Sequence, residues 1–230
     1  MITSGSPKSN ARKTEILDLE TGVNCADLPD FPVELQTAVG ANLDGTPVVC
    51  GGDSSKKCYR FNNGGWEEFA SMKEKRGWAA AVMYDARLHI FGGNPGKSTS
   101  ETVNLDGGVS DGPDMPTAIW FHAMTAINNT VSILSGGATS SDSYSPNTWY
   151  YNHETEVFTA GPDLLEGRRD HGSAINIDKV TKVKTPIVTG GYNGGYMKST
   201  EMLINGLWQS GTFQYRKQNI YICSKAIFLT

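Results

Sequence analysis

Short runs of apolar residues that end in a pair of glycines recur along the chain. The segment VVCGG ends at Gly51–Gly52, and HIFGG, ILSGG and IVTGG end at Gly92–Gly93, Gly136–Gly137 and Gly190–Gly191. MITSG, at the start of the sequence, is a degenerate copy that ends at Gly5. The copies lie roughly 40 to 55 residues apart, and a period of this size indicates propeller blades or solenoid units.

The residues between successive glycine pairs repeat one order of elements. A polar loop is followed by a strand-like segment such as CYRF or TWYYN, then by a turn, and finally by two strands that a polar turn separates. No segment has the 3.6-residue period of an amphipathic helix. The pattern therefore predicts an all-β fold, a β-propeller of four-stranded blades in a single region over residues 1–230. Its units are expected at approximately 1–50, 51–91, 92–135, 136–189 and, in part, 190–230.

The glycine pairs have a physical explanation in such a fold. Where a strand ends near the axis of a propeller, the backbone turns sharply, and glycine accepts the positive φ that this turn requires. Glycine also has no Cβ to collide with the neighbouring blade. Ordinary hairpin turns would explain one or two such pairs, but not four pairs at a blade-sized spacing.

The residues around the glycine pairs resemble the kelch repeat, in which Gly-Gly is followed by a Tyr, a Trp and an Arg. The unit after Gly92 departs from this motif, with Val109 in the place of Trp and Trp120 in the place of Arg. The resemblance implies a kelch-type, galactose-oxidase-like propeller with about five blades present. The chain would then be a fragment of a six-bladed ring, with a five-bladed ring as the alternative. The matching positions are Gly51, Gly52, Tyr59, Trp66, Arg76, Gly92, Gly93, Gly136, Gly137, Tyr151, Arg169, Gly190, Gly191 and Trp208.

Charge and hydrophobicity narrow the possible functions. The net charge is −4, with acidic and basic residues interspersed, so we expect no binding to nucleic acid. No run approaches 18 apolar residues, and we expect no membrane insertion. The first residues lack an apolar segment of signal-peptide length. The chain is therefore expected to be cytoplasmic by default, and extracellular if its N-terminus is truncated.

No catalytic constellation is visible in the sequence, which lacks the common hydrolase, protease and nucleotide-binding motifs. The resemblance to galactose-oxidase-like propellers implies a further test, because their copper sites need two His and two Tyr that converge at the axis. His122 and His171 occupy equivalent positions in successive units, which would place them on one face of neighbouring blades. Histidines at this motif position are more often packing residues. We expect no catalytic residue, no metal and no cofactor.

The resemblance also implies that loops at one face of the propeller bind the ligand. The positions that follow a glycine pair or the motif arginine combine aromatic, imidazole and small polar groups, which suit a protein or peptide ligand. We expect a non-enzymatic protein–protein interaction module. The alternatives are a secreted kelch propeller in adhesion or matrix, and a kelch-class enzyme resembling a copper oxidase or a sugar isomerase. The candidate ligand-binding residues are Asp53, Trp78, Asn94, His122, His171 and Tyr192.

The four cysteines, Cys25, Cys50, Cys58 and Cys223, form no CxxC motif and no zinc-like pairing with the histidines. Cys50 ends one predicted strand and Cys58 begins the next, so the two could face each other and form a disulfide. A disulfide would indicate an oxidising compartment, whereas the alternative is that small thiols fill strand positions. Asn128-Asn129-Thr130 is an N-glycosylation sequon in a predicted hairpin turn.

Overall fold

The computed structural model describes residues 2–3, 12–17, 24–25, 28–52, 55–140, 143–178 and 180–211. These residues form β-strands, turns and loops, and no helix is found among them. Consequently this part of the chain has no helix with the length and hydrophobicity needed to cross a membrane. The strands are, in chain order, β1 (Ile2–Thr3), β2 (Thr14–Leu17), β3 (Asn24–Cys25), β4 (Val39–Leu43), β5 (Thr46–Cys50), β6 (Lys57–Asn62), β7 (Gly65–Ser71), β8 (Ala80–Tyr84), β9 (Arg87–Phe91), β10 (Ser100–Asn104), β11 (Val109–Gly112), β12 (Ala123–Ala126), β13 (Val131–Ser135), β14 (Thr148–Asn152), β15 (Val157–Ala160), β16 (Gly172–Ile177), β17 (Lys184–Thr189), β18 (Thr200–Ile204) and β19 (Leu207–Gly211).

Sixteen of these strands form four antiparallel sheets of four consecutive strands each. The first sheet contains β4 to β7, the second β8 to β11, the third β12 to β15 and the fourth β16 to β19. A three-stranded sheet of β1, β2 and β3 precedes them. Four-stranded antiparallel sheets that follow one another along the chain are the architecture of propeller blades, so the predicted all-β class and blade-like sheets are confirmed.

The first strands of neighbouring sheets lie side by side. β4 contacts β8, β8 contacts β12, and β12 contacts β16. These strands are therefore the inner strands of an arrangement in which successive sheets face each other. The described residues do not close into a ring. The end of the predicted fifth unit, residues 212–230, lies outside the described part of the chain.

The hydrophobic core lies between the faces of neighbouring sheets. In the first three sheets the second strand is covered on both faces: three successive residues are buried in β5, and four in β9 and in β13. Such continuous burial explains why these segments are apolar throughout rather than alternating. The buried side chains at the interfaces include Leu43, Val48, Leu88 and Val103 between the first two sheets, Phe91, Leu134 and Tyr151 between the second and third, and Ile133, Val188 and Trp208 between the third and fourth.

A disulfide joins Cys50 and Cys58 in the first sheet. The two residues lie directly opposite each other on β5 and β6, with their Cα atoms 4.1 Å apart. The bond therefore links the two central strands of this sheet next to the glycine pair that follows β5. Both cysteines are fully buried.

Each glycine pair follows the second strand of a sheet, and all eight of these glycines have a positive φ, between 61° and 110°. A repeat counted from glycine pair to glycine pair therefore combines half of one sheet with half of the next. The pairs after β5, β9 and β13 also touch the following sheet. The amide groups of Gly52, Gly93 and Gly137 donate to the carbonyl oxygens of Arg76, Ile119 and Arg168, over 3.1, 3.0 and 2.8 Å.

We expect Gly92→Ala to lower the free energy of unfolding by about 3 kcal/mol or more, which is in the range of severe core substitutions. The new Cβ would lie 2.5 Å from the carbonyl oxygen of Ile119, in addition to the cost of alanine at a φ of 65°. Gly64→Ala is the matched control, because Gly64 has a φ of 78° but no atom within 4 Å of an added Cβ. The control should lose only about 1–2 kcal/mol. Denaturant unfolding measures both, and equal losses would contradict the close approach at Gly92.

Candidate functional site

Four residues that lead into the first strands of the four sheets share an unusual backbone conformation. Thr37, Trp78, Phe121 and Asp170 each lie two positions before such a strand and have φ values of 62°, 51°, 58° and 54°. We call these four residues the collar. A non-glycine residue in this region costs roughly 1–2 kcal/mol, so the surrounding contacts must hold the collar in place.

Backbone hydrogen bonds link the collar residues from one sheet to the next. Trp78 donates its N–H to the carbonyl oxygen of Thr37 over 3.0 Å, and Phe121 donates to Trp78 over 2.9 Å. Asp170 continues the series by donating to Phe121 over 3.0 Å. The positive φ turns each amide toward the preceding sheet, and the hydrogen bond that results offsets part of the conformational cost.

The collar lies at the same end of the sheets as the glycine pairs, which we call the glycine end. Residues next to the collar form backbone hydrogen bonds with residues that follow a glycine pair. Asn94 donates its N–H to the carbonyl oxygen of Gly77 over 2.7 Å, and Tyr192 donates to that of Arg169 over 2.8 Å. Among the predicted ligand-binding residues, Trp78, Asn94 and Tyr192 are thus brought to one end of the fold. Asp53 lies outside the described residues.

Aromatic side chains and one arginine cluster at the glycine end. The guanidinium carbon of Arg169 lies 5.3 Å from the ring centroids of Phe121, Tyr144 and Tyr192, within the distance of a cation–π interaction. The Trp78 and Phe121 rings are 4.9 Å apart, and those of Tyr192 and Tyr196 are 5.7 Å apart. The aromatic surface consists of Trp78, Phe121, Tyr144, Arg169, Tyr192 and Tyr196.

The aromatic surface is accessible to a ligand. Tyr196 is 92% exposed, whereas the other five residues are partly buried against one another. The sequence prediction contained Trp78 and Tyr192 but missed Phe121, Tyr144 and Tyr196. Phe121 could have been found, because it occupies the same position before the third sheet as Trp78 before the second. Tyr144 and Tyr196 lie in loops of different length, and the sequence carries no signal that they meet.

The arginine equivalent to Arg76 is Arg168, not Arg169 as the motif assignment had it. Arg76 and Arg168 are fully buried, with 1% and 0% exposure. Arg76 donates to the carbonyl oxygen of Gly92 over 2.9 Å, and Arg168 donates to that of Gly190 over 3.0 Å. Arg169 belongs to the aromatic surface instead. In the unit after Gly92, Ile119 rather than Trp120 stands at the arginine position, because its carbonyl oxygen accepts the hydrogen bond from Gly93.

Both buried arginines form ion pairs with buried glutamates. Arg76 Nε lies 2.9 Å from Glu101 Oε1, and Arg168 Nη2 lies 2.5 Å from Glu201 Oε1. Each glutamate also accepts two backbone N–H groups: Glu101 from residues 73 and 74, and Glu201 from residues 165 and 166. All the hydrogen-bonding groups of these pairs have partners, so the pairs stabilise the fold. Removal of one partner would leave a buried charge and would lower the free energy of unfolding by about 3–5 kcal/mol.

The predicted ligand-binding histidines lie beneath the glycine end, not on it. His122 and His171 are each 6% exposed, and each imidazole packs between the glycine pairs of two successive sheets. The Cε1 atom of His171 lies under Gly136, and its Cβ lies against Gly191. His171 Nε2 is 2.9 Å from the hydroxyl oxygen of Ser135. Because both imidazoles are buried, neither is placed to contact a ligand at the glycine end.

Burial lowers the pKa of both His122 and His171 to about 3, and for His171 the charge of Arg168 adds to this effect. Both imidazoles are therefore neutral in the folded protein at neutral pH. They act as uncharged packing groups.

His89 and His153 form a second ring cluster at the opposite ends of the sheets. The Tyr84 ring stacks on His153 at 4.5 Å, and the His89 and His153 rings are 5.5 Å apart. Burial lowers the pKa of His153 to about 4. Tyr151 packs against His153 at 4.7 Å. In the described ranges no group of three or more His, Cys, Asp or Glu side chains is placed to hold a metal ion.

No protein-family model matches the chain, and no curated protein matches it. The site is therefore characterised by its geometry. That geometry is an exposed aromatic surface, held by backbone hydrogen bonds between sheets, above buried neutral histidines and buried Arg–Glu pairs.

We expect the free energy of unfolding to fall as the pH drops below 6.5. His171 has a folded pKa of about 3 and an unfolded pKa of about 6.5, so protons bind the unfolded chain first. The stability that it contributes is fully present above pH 6.5 and is lost between pH 6.5 and 3, at about 1.4 kcal/mol per pH unit. Between pH 6.5 and 5, the free energy of unfolding of the His171→Asn variant should fall by about 2 kcal/mol less than that of the unmodified chain. Parallel pH profiles from denaturant unfolding would contradict the buried neutral state.

Proposed function

We propose that this chain is a non-enzymatic protein–protein interaction module, which holds a protein or peptide ligand at the glycine end. The observation that carries the proposal is the aromatic surface. Tyrosine, tryptophan and arginine supply most of the binding energy at protein interfaces. Here five loops contribute aromatic residues and an arginine to one continuous surface, with Arg169 at its centre.

The rigidity of this surface supports a binding role. Trp78 and Phe121 belong to the collar, whose backbone is fixed by hydrogen bonds between sheets. Tyr192 is fixed in the same way, because it exchanges two backbone hydrogen bonds with Arg169, of 2.8 and 3.1 Å. A preorganised surface loses less conformational entropy on binding than a mobile one. Ligand recognition by loops on a rigid β scaffold is common in propellers.

We further propose that the repeats are of the kelch type. The support is the ordered set of motif residues and the roles that they have in the sheets. Tyr59 and Tyr151 are both buried. Trp66 lies directly opposite Phe61 in the outer hairpin of the first sheet, with their ring centroids 5.4 Å apart, and Phe158 lies opposite Tyr151 in the third sheet at 4.6 Å. The aromatic residue at the tryptophan position of the motif thus packs on the third strand of its sheet in both units.

The first alternative is a secreted propeller in adhesion or matrix, and one observation favours it. The disulfide between Cys50 and Cys58 indicates an oxidising compartment. This alternative shares the binding surface with the proposed module and differs only in where the chain works.

The second alternative is a kelch-class enzyme. It would draw on the His89, His153, Tyr84 and Tyr151 cluster, which contains two His and two Tyr. Three of these rings are buried, with Tyr84 the partly exposed member. The interaction module is preferred because its residues are accessible at the surface and preorganised.

We expect Tyr192→Ala and Tyr196→Ala to weaken partner binding tenfold or more, since a central aromatic residue contributes about 2 kcal/mol or more. The measurement is quantitative affinity capture from the source cells, followed by titration of the captured partner against each variant. Val157→Ala is the matched control, because Val157 is 50% exposed but begins β15 next to the turn after β14, away from the glycine end. A partner that binds all three variants equally would contradict the proposed surface.

A further inference from the structure

The sequence contains one N-x-Ser/Thr sequon, Asn128-Asn129-Thr130. It occupies the hairpin turn that connects β12 (Ala123–Ala126) to β13 (Val131–Ser135). The hairpin closes with a hydrogen bond from the N–H of Ile127 to the carbonyl oxygen of Val131, over 2.8 Å. Asn128 and Asn129 are exposed. A sequon at an exposed hairpin tip is accessible without any change in the fold.

The side chain of Asn128 is ordered by its own turn. Its Oδ1 atom accepts the backbone N–H groups of Thr130 and Val131, over 2.9 and 2.8 Å. The hydroxyl group of Thr130 donates to the same oxygen over 3.3 Å. Every one of these hydrogen bonds uses the amide oxygen. The amide nitrogen, which is the atom that a sugar modifies, takes no part in them.

The sequon lies far from the aromatic surface. β13 begins next to the sequon and runs directly into Gly136–Gly137 at the glycine end. A five-residue strand spans about 17 Å, so a glycan on Asn128 would extend from the opposite end of the third sheet. A bulky, hydrated group there would leave the proposed ligand-binding surface clear.

An independent observation indicates a compartment where such a modification occurs. The Cys50–Cys58 disulfide is a bond that forms and persists in oxidising environments such as the endoplasmic reticulum lumen and the cell exterior. N-glycosylation of a sequon likewise belongs to secreted proteins. The disulfide and the exposed sequon lie in different sheets and indicate the same compartment.

From these two observations we propose that Asn128 is an N-glycosylation site. The donor class is a lipid-diphosphate-linked oligosaccharide. The Nδ2 atom of Asn128 forms a bond to C1 of the reducing-end sugar, while the bond from C1 to the diphosphate oxygen breaks. The lipid diphosphate leaves with the bonding electron pair, and the amide nitrogen loses one proton. No electron is transferred to or from the protein.

The test is expression of residues 1–230 behind a cleavable secretory leader in mammalian cells. Total and secreted chains are treated with peptide-N-glycosidase F, which converts a glycosylated Asn to Asp, and are analysed by peptide mass spectrometry. We expect one enzyme-sensitive glycan, located at Asn128. Asn128→Gln and Thr130→Val should abolish it. Asn129→Gln is the matched control, because it changes the same turn but retains the sequon, and it should keep the glycan.

Either of two results in these cells would overturn the proposal. One is an unmodified Asn128 in chains whose Cys50–Cys58 bond has formed, as shown by peptide mapping without reduction. The other is a glycan that persists in Asn128→Gln. Protein captured from its own cells provides the decisive comparison: conversion of Asn128 to Asp by the enzyme supports the proposal, and an unmodified Asn128 in that material refutes it.

Discussion

The close approach of two backbones between neighbouring sheets is the constraint on which the rest of the fold depends. The carbonyl oxygens of Arg76, Ile119 and Arg168 lie where a Cβ on Gly51, Gly92 or Gly136 would stand, at 2.7, 2.5 and 2.5 Å. No side chain fits there, so these positions are restricted to glycine. The second glycine of each of these pairs then donates its N–H to the same carbonyl group. This contact sets the spacing of neighbouring sheets at the glycine end and requires the positive φ values of the glycine pairs.

Buried charges reinforce the contact at two places. Arg76 and Arg168 each reach a glycine carbonyl oxygen and a buried glutamate, and so connect the loop before a sheet to the sheet's second and third strands. A buried ion pair is rarely worth its desolvation in stability alone. Here every partner is satisfied, which fixes the loop before the collar in one geometry. The aromatic surface is the outer layer of that geometry, since Trp78 and Arg169 follow the buried arginines by two residues and one residue.

Local signals were sufficient to predict the all-β class and the four-stranded sheets. Glycine pairs, turn residues and short apolar runs are signals within ten residues or fewer, and the observed strands agree with them. The assignments that needed long-range pairing were less successful. Arg168 and Arg169 are adjacent and chemically alike, and only the long-range contacts of Arg168 with Gly190 and Glu201 show which one is buried. His122 and His171 were expected at a binding face and instead lie under glycines that leave room for them. The aromatic surface combines residues from five loops that lie between positions 78 and 196, and no local pattern predicts that they meet.

Residue-resolved amide hydrogen exchange tests the central claim, that backbone hydrogen bonds between sheets hold the glycine end rigid. The amides of Trp78, Phe121 and Asp170 lie in loops, where exchange is ordinarily fast. If the collar is formed as described, their exchange should be as slow as that of Leu88 and Ile90 in the buried strand β9. Exchange as fast as that of Asn63, in the exposed turn between β6 and β7, would contradict the account.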